Sequence, residues 1–131
     1  MIHVIRQKLI DTTAVTNLVP ASRISLVNAR QGMERPYIAI DLEETRFERN
    51  TTSVHGEIYN VLVYITDESI SSAWAIHSAV KQALSEFTGT ITQAGVQYDI
   101  GQISLMDVMT DAHELHDFYV VAMSFNIFVS G

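Results

Sequence analysis

Acidic side chains and imidazoles, the pair of types that could do chemistry together, cluster in one short stretch: Asp107, Asp111, His113, Glu114, His116 and Asp117. Asp111 with His113 and His116 is a set of imidazole nitrogens and a carboxylate of the kind that ligates a divalent metal. A metal-dependent hydrolase is the enzyme such a set would make. The spacing does not suit a zincin, which needs H-E-x-x-H so that both imidazoles project one helical turn apart with the acid as base. Here the order is His113-Glu114-Leu115-His116. A solvated acidic loop leading into the strand that follows is the simpler reading.

Other routes to chemistry are thin. His77 falls at the edge of an apolar helical stripe, where a packed, hydrogen-bonded imidazole is commoner than a catalytic one. The chain has serines but no G-x-S-x-G and no cysteine, and it has neither a P-loop nor G-x-G-x-x-G. No catalytic, cofactor-binding or metal residue is therefore assigned, and the chain is read as not an enzyme. Trp74 lies at the rim of the same stripe beside Lys81 and Ile70. It is either a core-edge cover for a sheet or an interface anchor, since tryptophan is enriched among binding hot spots.

The element that must position these residues is the stretch from Asp67 to Phe87, which carries a helix start, a helical period and a stop in order. Asp67 and Ser69 are both good N-caps, and Glu68 favours the positive end of the helix. At about 100° per residue, Ala73, Ile76, Val80, Ala83, Leu84 and Phe87 fall on one stripe, with Ser71, Ser78, Gln82, Ser85 and Glu86 opposite. Gly89 is the expected C-terminal stop. Burial of the large members is worth about 1.5–3 kcal/mol each, so a flat apolar surface must lie beneath.

The flanking segments supply it. Ile2, Ile5 and Leu9 share a helical face, and Asp11 and Thr12 cap a second turn through Val15 and Val19 to Pro20, a broken N-terminal helix. Arg23 to Leu26 reads as a brief extended piece, and Asn28 to Arg35 as a polar, mobile loop. From Tyr37 the chain alternates, with Ile38, Ile40 and Leu42 on one face, a strand expected to reach Phe47 as the pattern fades into a polar, charged tip at Arg46 to Ser53. His55 to Thr66 is the second strand, with Tyr59, Val61, Val63 and Ile65 on one face and Ile58, Leu62 and Tyr64 on the other, so both faces look covered. Thr90 to Thr92 is followed by a turn at Ala94-Gly95 and a strand from Val96 to Leu105. In that strand the parity switch beyond Gly101 implies a bulge. Phe118 to Val129 is the last strand.

This order predicts a single α+β domain over residues 1–131. It should hold a mostly antiparallel sheet of about four to five strands, with the central and N-terminal helices packed on one face. The other face is left over. Because a monomer rarely exposes a contiguous apolar patch above a few hundred Å², self-association follows as an expectation.

Composition sets bounds. A hydrophobic content of 47% with 18% charged residues suits a folded globular chain. Fifteen acidic against eight basic residues give a net charge of −7, which argues against gripping phosphate backbones through counterion release. Like charge does suit a surface that DNA slides past. The apolar start of the chain is broken by Arg6, Gln7 and Lys8 before signal-peptide length, and no apolar stretch is long enough to cross a bilayer. Lack of cysteine suits a reducing compartment.

One set of residues runs along most of the chain: Leu9, Asp11, Ala14, Val15, Leu18 and Val19, then Arg23-Ile24, a polar loop and Pro36-Tyr37-Ile38. It continues through Val61-Leu62-Val63-Tyr64, the helix Ala73 to Leu84, and His113 with Phe118 opening the last strand. In this pattern the chain resembles the small tail-completion, or tail-to-head joining, proteins of long-tailed bacteriophages, which include ring-forming tail terminators. The resemblance implies an α+β subunit of a hexameric ring at the head–tail junction of the virion, assembled in the host cytoplasm. Its partners would be the tail tube protein and a head–tail connector or stopper protein, with genomic DNA crossing the lumen unbound and no membrane or cofactor involved. The leftover sheet face and exposed strand edges then become subunit surfaces, and subunit and partner contacts are expected at Arg46, Phe47, Glu48, Arg49, Trp74, Asp111 and His113. The long, charged tip from Glu43 to Ser53 departs from the family pattern. Readings from other classes are the hydrolase on Asp111, His113 and His116, and a small-ligand module using the open sheet face.

Overall fold

The computed structural model of the chain describes residues 1–26, 34–49, 54–113 and 118–130. Helix α1 (Ile2–Ile10) and the short α2 (Thr13–Thr16) lead through a 3-10 turn (Ala21–Arg23) into strand β1 (Ile24–Leu26). Strands β2 (Tyr37–Arg49) and β3 (Val54–Asp67) follow, then helix α3 (Ile70–Leu84) and strands β4 (Gly89–Gln93), β5 (Val96–His113) and β6 (Phe118–Ser130). The strands form a six-stranded sheet in the order β1-β2-β3-β6-β5-β4, antiparallel throughout except for the parallel pair β1 and β2. The expected α+β class with a mostly antiparallel sheet holds, with six strands in place of four to five.

The two additions are both edge strands, β1 and β4. Each is short, which is how sheets blunt an edge; β1 is the brief extended piece expected at Arg23 to Leu26, and β4 holds Thr90 to Thr92 ahead of the expected turn. In β4 only Ile91 is buried, between exposed Thr90 and Thr92.

The core lies on one face of the sheet. Ile38 and Ile40 of β2, Val61, Val63 and Ile65 of β3, Ile100 and Ile103 of β5, and Val121, Met123, Phe125 and Ile127 of β6 are all buried there. Paired residues confirm the shared face: Ile40 opposes Val63, which opposes Met123, which opposes Val108. Every buried residue of the three helices joins this same cluster, namely Val4, Ile5 and Leu9 of α1, Val15 of α2, and Ala73, Ile76, Ala79, Val80 and Leu84 of α3. The broken N-terminal helix thus packs beside α3 on one face. Thr12 marks the break, its hydroxyl donating to the Lys8 carbonyl at 2.7 Å while it serves as the N-cap position of α2.

Helix α3 starts as its sequence demands and stops sooner. The Ser69 hydroxyl accepts from the Ser72 amide at 3.4 Å, and Asp67 instead accepts the Glu68 amide at 2.7 Å. The expected stop at Gly89 and the extension to Phe87 are corrected. The helix ends at Leu84, Ser85 is extended, and Glu86 takes the left-handed conformation at φ 65°. The cause is competition from the sheet: the Glu86 amide donates to the Ile103 carbonyl at 2.8 Å, and the Ile103 amide to the Phe87 carbonyl at 3.1 Å. Phe87 still packs against the core and also carries the Lys8 ammonium 4.2 Å over its ring.

The strand expected from Tyr37 to Phe47 runs on to Arg49, so the polar tip is shortened from its start. Arg46, Phe47, Glu48 and Arg49 of β2 are in register with Ile58, Glu57, Gly56 and Val54 of β3, beyond where the apolar alternation fades. A bulge between Leu42 and Glu44 explains the fading, since it shifts the parity that Ile38, Ile40 and Leu42 had set. Strand β5 likewise runs past Leu105 to His113, with register shifts at Ile100/Gln102 and Leu105/Asp107. The first is the bulge expected at Gly101. A side chain there would strike the Phe128 ring, whose Cδ1 lies 2.5 Å from where a Cβ would sit, and Gly56 on the opposite flank leaves the same ring its space. The expected mobile loop of Asn28 to Arg35 falls for the most part, and the remainder of the tip from Asn50 to Ser53 entirely, outside the described residues.

Candidate functional site: an assembly surface

The second face of the sheet is the main surface that the helices leave uncovered. Its rows follow from the register: Asp41, Leu62, Ser124 and Asp107 lie level across β2, β3, β6 and β5, and so do Glu44, Asn60, Asn126 and Ser104. At its centre the Asn60 amide donates to the Asn126 side-chain oxygen at 2.8 Å, and the Ser124 hydroxyl donates to Asn60 Oδ1 at 3.4 Å. Around this polar patch Ile58, Leu62, Tyr64, Val120, Ala122 and Phe128 are half-buried, and none of them joins the core cluster. The face is therefore mixed, apolar enough to be covered yet stitched by amides at its middle.

The sheet also has two open edges. Strand β1 pairs with β2 only from Ile38 to Ile40, so among the described residues nothing pairs with the outer edge of β2 from Leu42 to Arg49. Strand β4 covers β5 from Val96 to Ile100, and the turn after α3 takes up Ile103. The outer edge of β5 from Leu105 to His113 then has no strand beside it among the described residues. Met106 and Met109 on this edge are 57% and 64% exposed, which single apolar residues tolerate but which a docked strand would use.

Trp74 stands on the outer side of α3, 40% exposed, with its ring edge-on to His77 at 4.8 Å between centroids. Both residues lie at the helix rim as the wheel places them. His77 is packed as expected, but its Nε2 is buried with no hydrogen-bond partner among the described residues. Burial, and then the Lys81 charge one turn along, push its imidazole below the ordinary value of 6.5. Asp67 Oδ2 is buried without a partner in the same sense, at the start of the loop that feeds α3.

Asp107, Asp111 and His113 are carried on β5 and not on a loop, which corrects the reading of this stretch as a solvated connection. They stand in register with Ser124, Val120 and Phe118 on the second face. Glu114, His116 and Asp117 lie outside the described residues, and among the described residues no group of three metal-ligating side chains comes together. Exposed strand edges are among the subunit surfaces that the resemblance implies, but which two edges stay open is set by a register that the sequence does not spell out.

A family model described as tail completion protein gp17 matches residues 3–125 of the chain. No curated protein matches in sequence. Among solved structures, a chain of the virion of a native gene transfer agent particle is similar, with a TM-score of 0.78 and 15% identity over 97% of this chain and 92% of that one. At that identity the likeness speaks for the fold.

Proposed function

Because the chain belongs to the tail-completion protein gp17 family, a structural component of the virion tail and not an enzyme, we propose that it closes the phage tail tube as a ring. One end of the ring meets the tail tube protein, which stops tube growth, and the other meets a head–tail connector or stopper protein. Six copies are the number the family resemblance suggests, assembled in the host cytoplasm. The family match carries the reading, and the two open sheet edges with the mixed second face support it, since a subunit built for a ring needs two different surfaces that fit each other. The net charge of −7 suits a lumen that genomic DNA crosses without specific binding. Trp74 on the helix rim and the ends of β2 and β5 are the contact residues.

The test is microscopy of tails assembled with and without the chain, together with negative-stain images of the purified protein. Tails made without it should be of irregular length and fail to join heads, and added protein should restore both. Tails of normal length that join heads in its absence would overturn the proposal.

A further inference from the structure

We infer that neighbouring copies join by pairing the open edge of β2 in one subunit, residues Leu42 to Arg49, antiparallel with the open edge of β5 in the next, residues Leu105 to His113. The inference rests on the ring reading above and names the surface that makes the ring.

Three features of the sheet lead to it. The two open edges lie on opposite sides of the sheet and at opposite ends. Arg46 is level with Ile58, Phe128 and Gln102, whereas Asp111 is level with Val120, Thr66 and Tyr37. They are thus the matched halves of a head-to-tail contact, the kind that repeats around an axis, and they do not suit a two-fold pair, which would set like against like. Directions agree as well. Strands β2, β3, β6 and β5 alternate in direction, so a copy placed beside β5 with the same face outward presents its β2 antiparallel.

Charge then selects the register. Keeping the same face outward requires that Glu44, Arg46 and Glu48, which share rows with the second face, meet Asp107, Asp111, Met109 or His113, which do the same. When Arg46 opposes Asp111, Glu44 falls opposite His113, Glu48 opposite Met109 and Phe47 opposite Thr110. Sliding two residues one way sets Glu44 against Asp111 and Glu48 against Asp107, and sliding two the other way sets Glu48 against Asp111. Like charges directly opposed destabilise a strand pair, so of these three registers the first is preferred. It also gives exposed Met109 a covering strand. Each copy is displaced from the last by the span from Ile58 to Thr66, roughly 26 Å at about 3.3 Å per residue, the stagger that tilts strands in closed cylinders.

The chain has no cysteine, so a disulfide can report the register. Directly opposed residues of an antiparallel pair have Cα atoms about 4.5–5.5 Å apart, within disulfide reach. The double variant Arg46→Cys with Asp111→Cys, oxidised on assembled tails and as concentrated purified protein, should give a ladder of covalent multimers that ends at one closed size. Neither single variant should pass beyond a dimer. In a second arm, Arg46→Asp and Asp111→Arg should each weaken self-association at least several-fold, and the two changes together should restore it. Both positions lie on open edges, so melting temperature should stay near that of the parent chain and shows that the variants fold. Rings seen by microscopy without the ladder and without charge-exchange rescue would overturn the edge pairing and leave the ring. No self-association on tails or in solution would overturn the ring, and the pairing with it.

Discussion

Individual residues divide here into those fixed by the core and those whose position the core does not explain. Leu84 is of the first kind, fully buried at the last turn of α3. Leu84→Ala should cost about 2–5 kcal/mol, the range for a buried leucine that leaves a cavity, read as the shift of a denaturant midpoint. His77 is of the second kind. Its imidazole is held below 6.5 by burial first and Lys81 second, so between the folded value and 6.5 the unfolded chain binds the proton more readily. The stability this contributes is present above 6.5 and is lost as pH falls through that window. Unfolding followed at about pH 7.5 and about pH 5.5 should show a smaller loss on acidification for His77→Asn than for the parent chain. An unchanged loss would assign the pH dependence to other groups.

Among the elements, what could be read from the sequence tracks burial closely. The stripe of α3, the alternation at Ile38 and Ile40, and the apolar face of β6 all point at one core, and each was legible because a buried face forces a period. The stretches read short or left unassigned were β4, the Glu48–Arg49 end of β2 and the Met106–His113 end of β5. Where side chains are described in these stretches most are exposed, and pairing rather than burial holds the backbone there. A ladder of backbone hydrogen bonds leaves no trace in hydrophobicity, so Glu48 or Asp111 in a strand looks like Glu48 or Asp111 in a loop. Trp74 and His77 were correctly placed at the helix rim, while the partnerless Nε2 of His77 depends on packing that no spacing encodes. Because the ladder reaches Arg49 opposite Val54, a shortened hairpin joining Leu42 to Val61 through a tight turn should lower the melting temperature. Each kcal/mol lost should move it by roughly 2–8 °C. A shortened chain that melts as the parent does would show that this ladder adds nothing to the fold.

For the whole molecule, the question is what covers the surfaces the single chain leaves open, and α3 offers a third one beside the sheet edges. Its buried stripe faces the strands, and its outer side presents Trp74 at 40% exposure among Ile70, Ser71, Ser78 and Lys81, all of them exposed. A half-exposed tryptophan ringed by small and polar side chains has the anatomy of a hot spot before its partner arrives, a large apolar anchor with a rim that will exclude water. Among the described residues its one aromatic ring contact is the edge of His77, so truncation should disturb the fold little. Trp74→Ala should therefore melt within a few degrees of the parent chain, by the same conversion of about 2–8 °C per kcal/mol, yet fail to complete tails or to join heads. Truncating an anchor of this kind typically costs at least about 2 kcal/mol of binding, roughly a thirtyfold weaker contact at each joint, and a ring multiplies that loss over every joint it must close. Trp74→Phe, which keeps a flat apolar ring, should recover part of the activity. If Trp74→Ala completes tails normally, the exposed rim of α3 is a solvent surface, and the ring closes through the sheet alone.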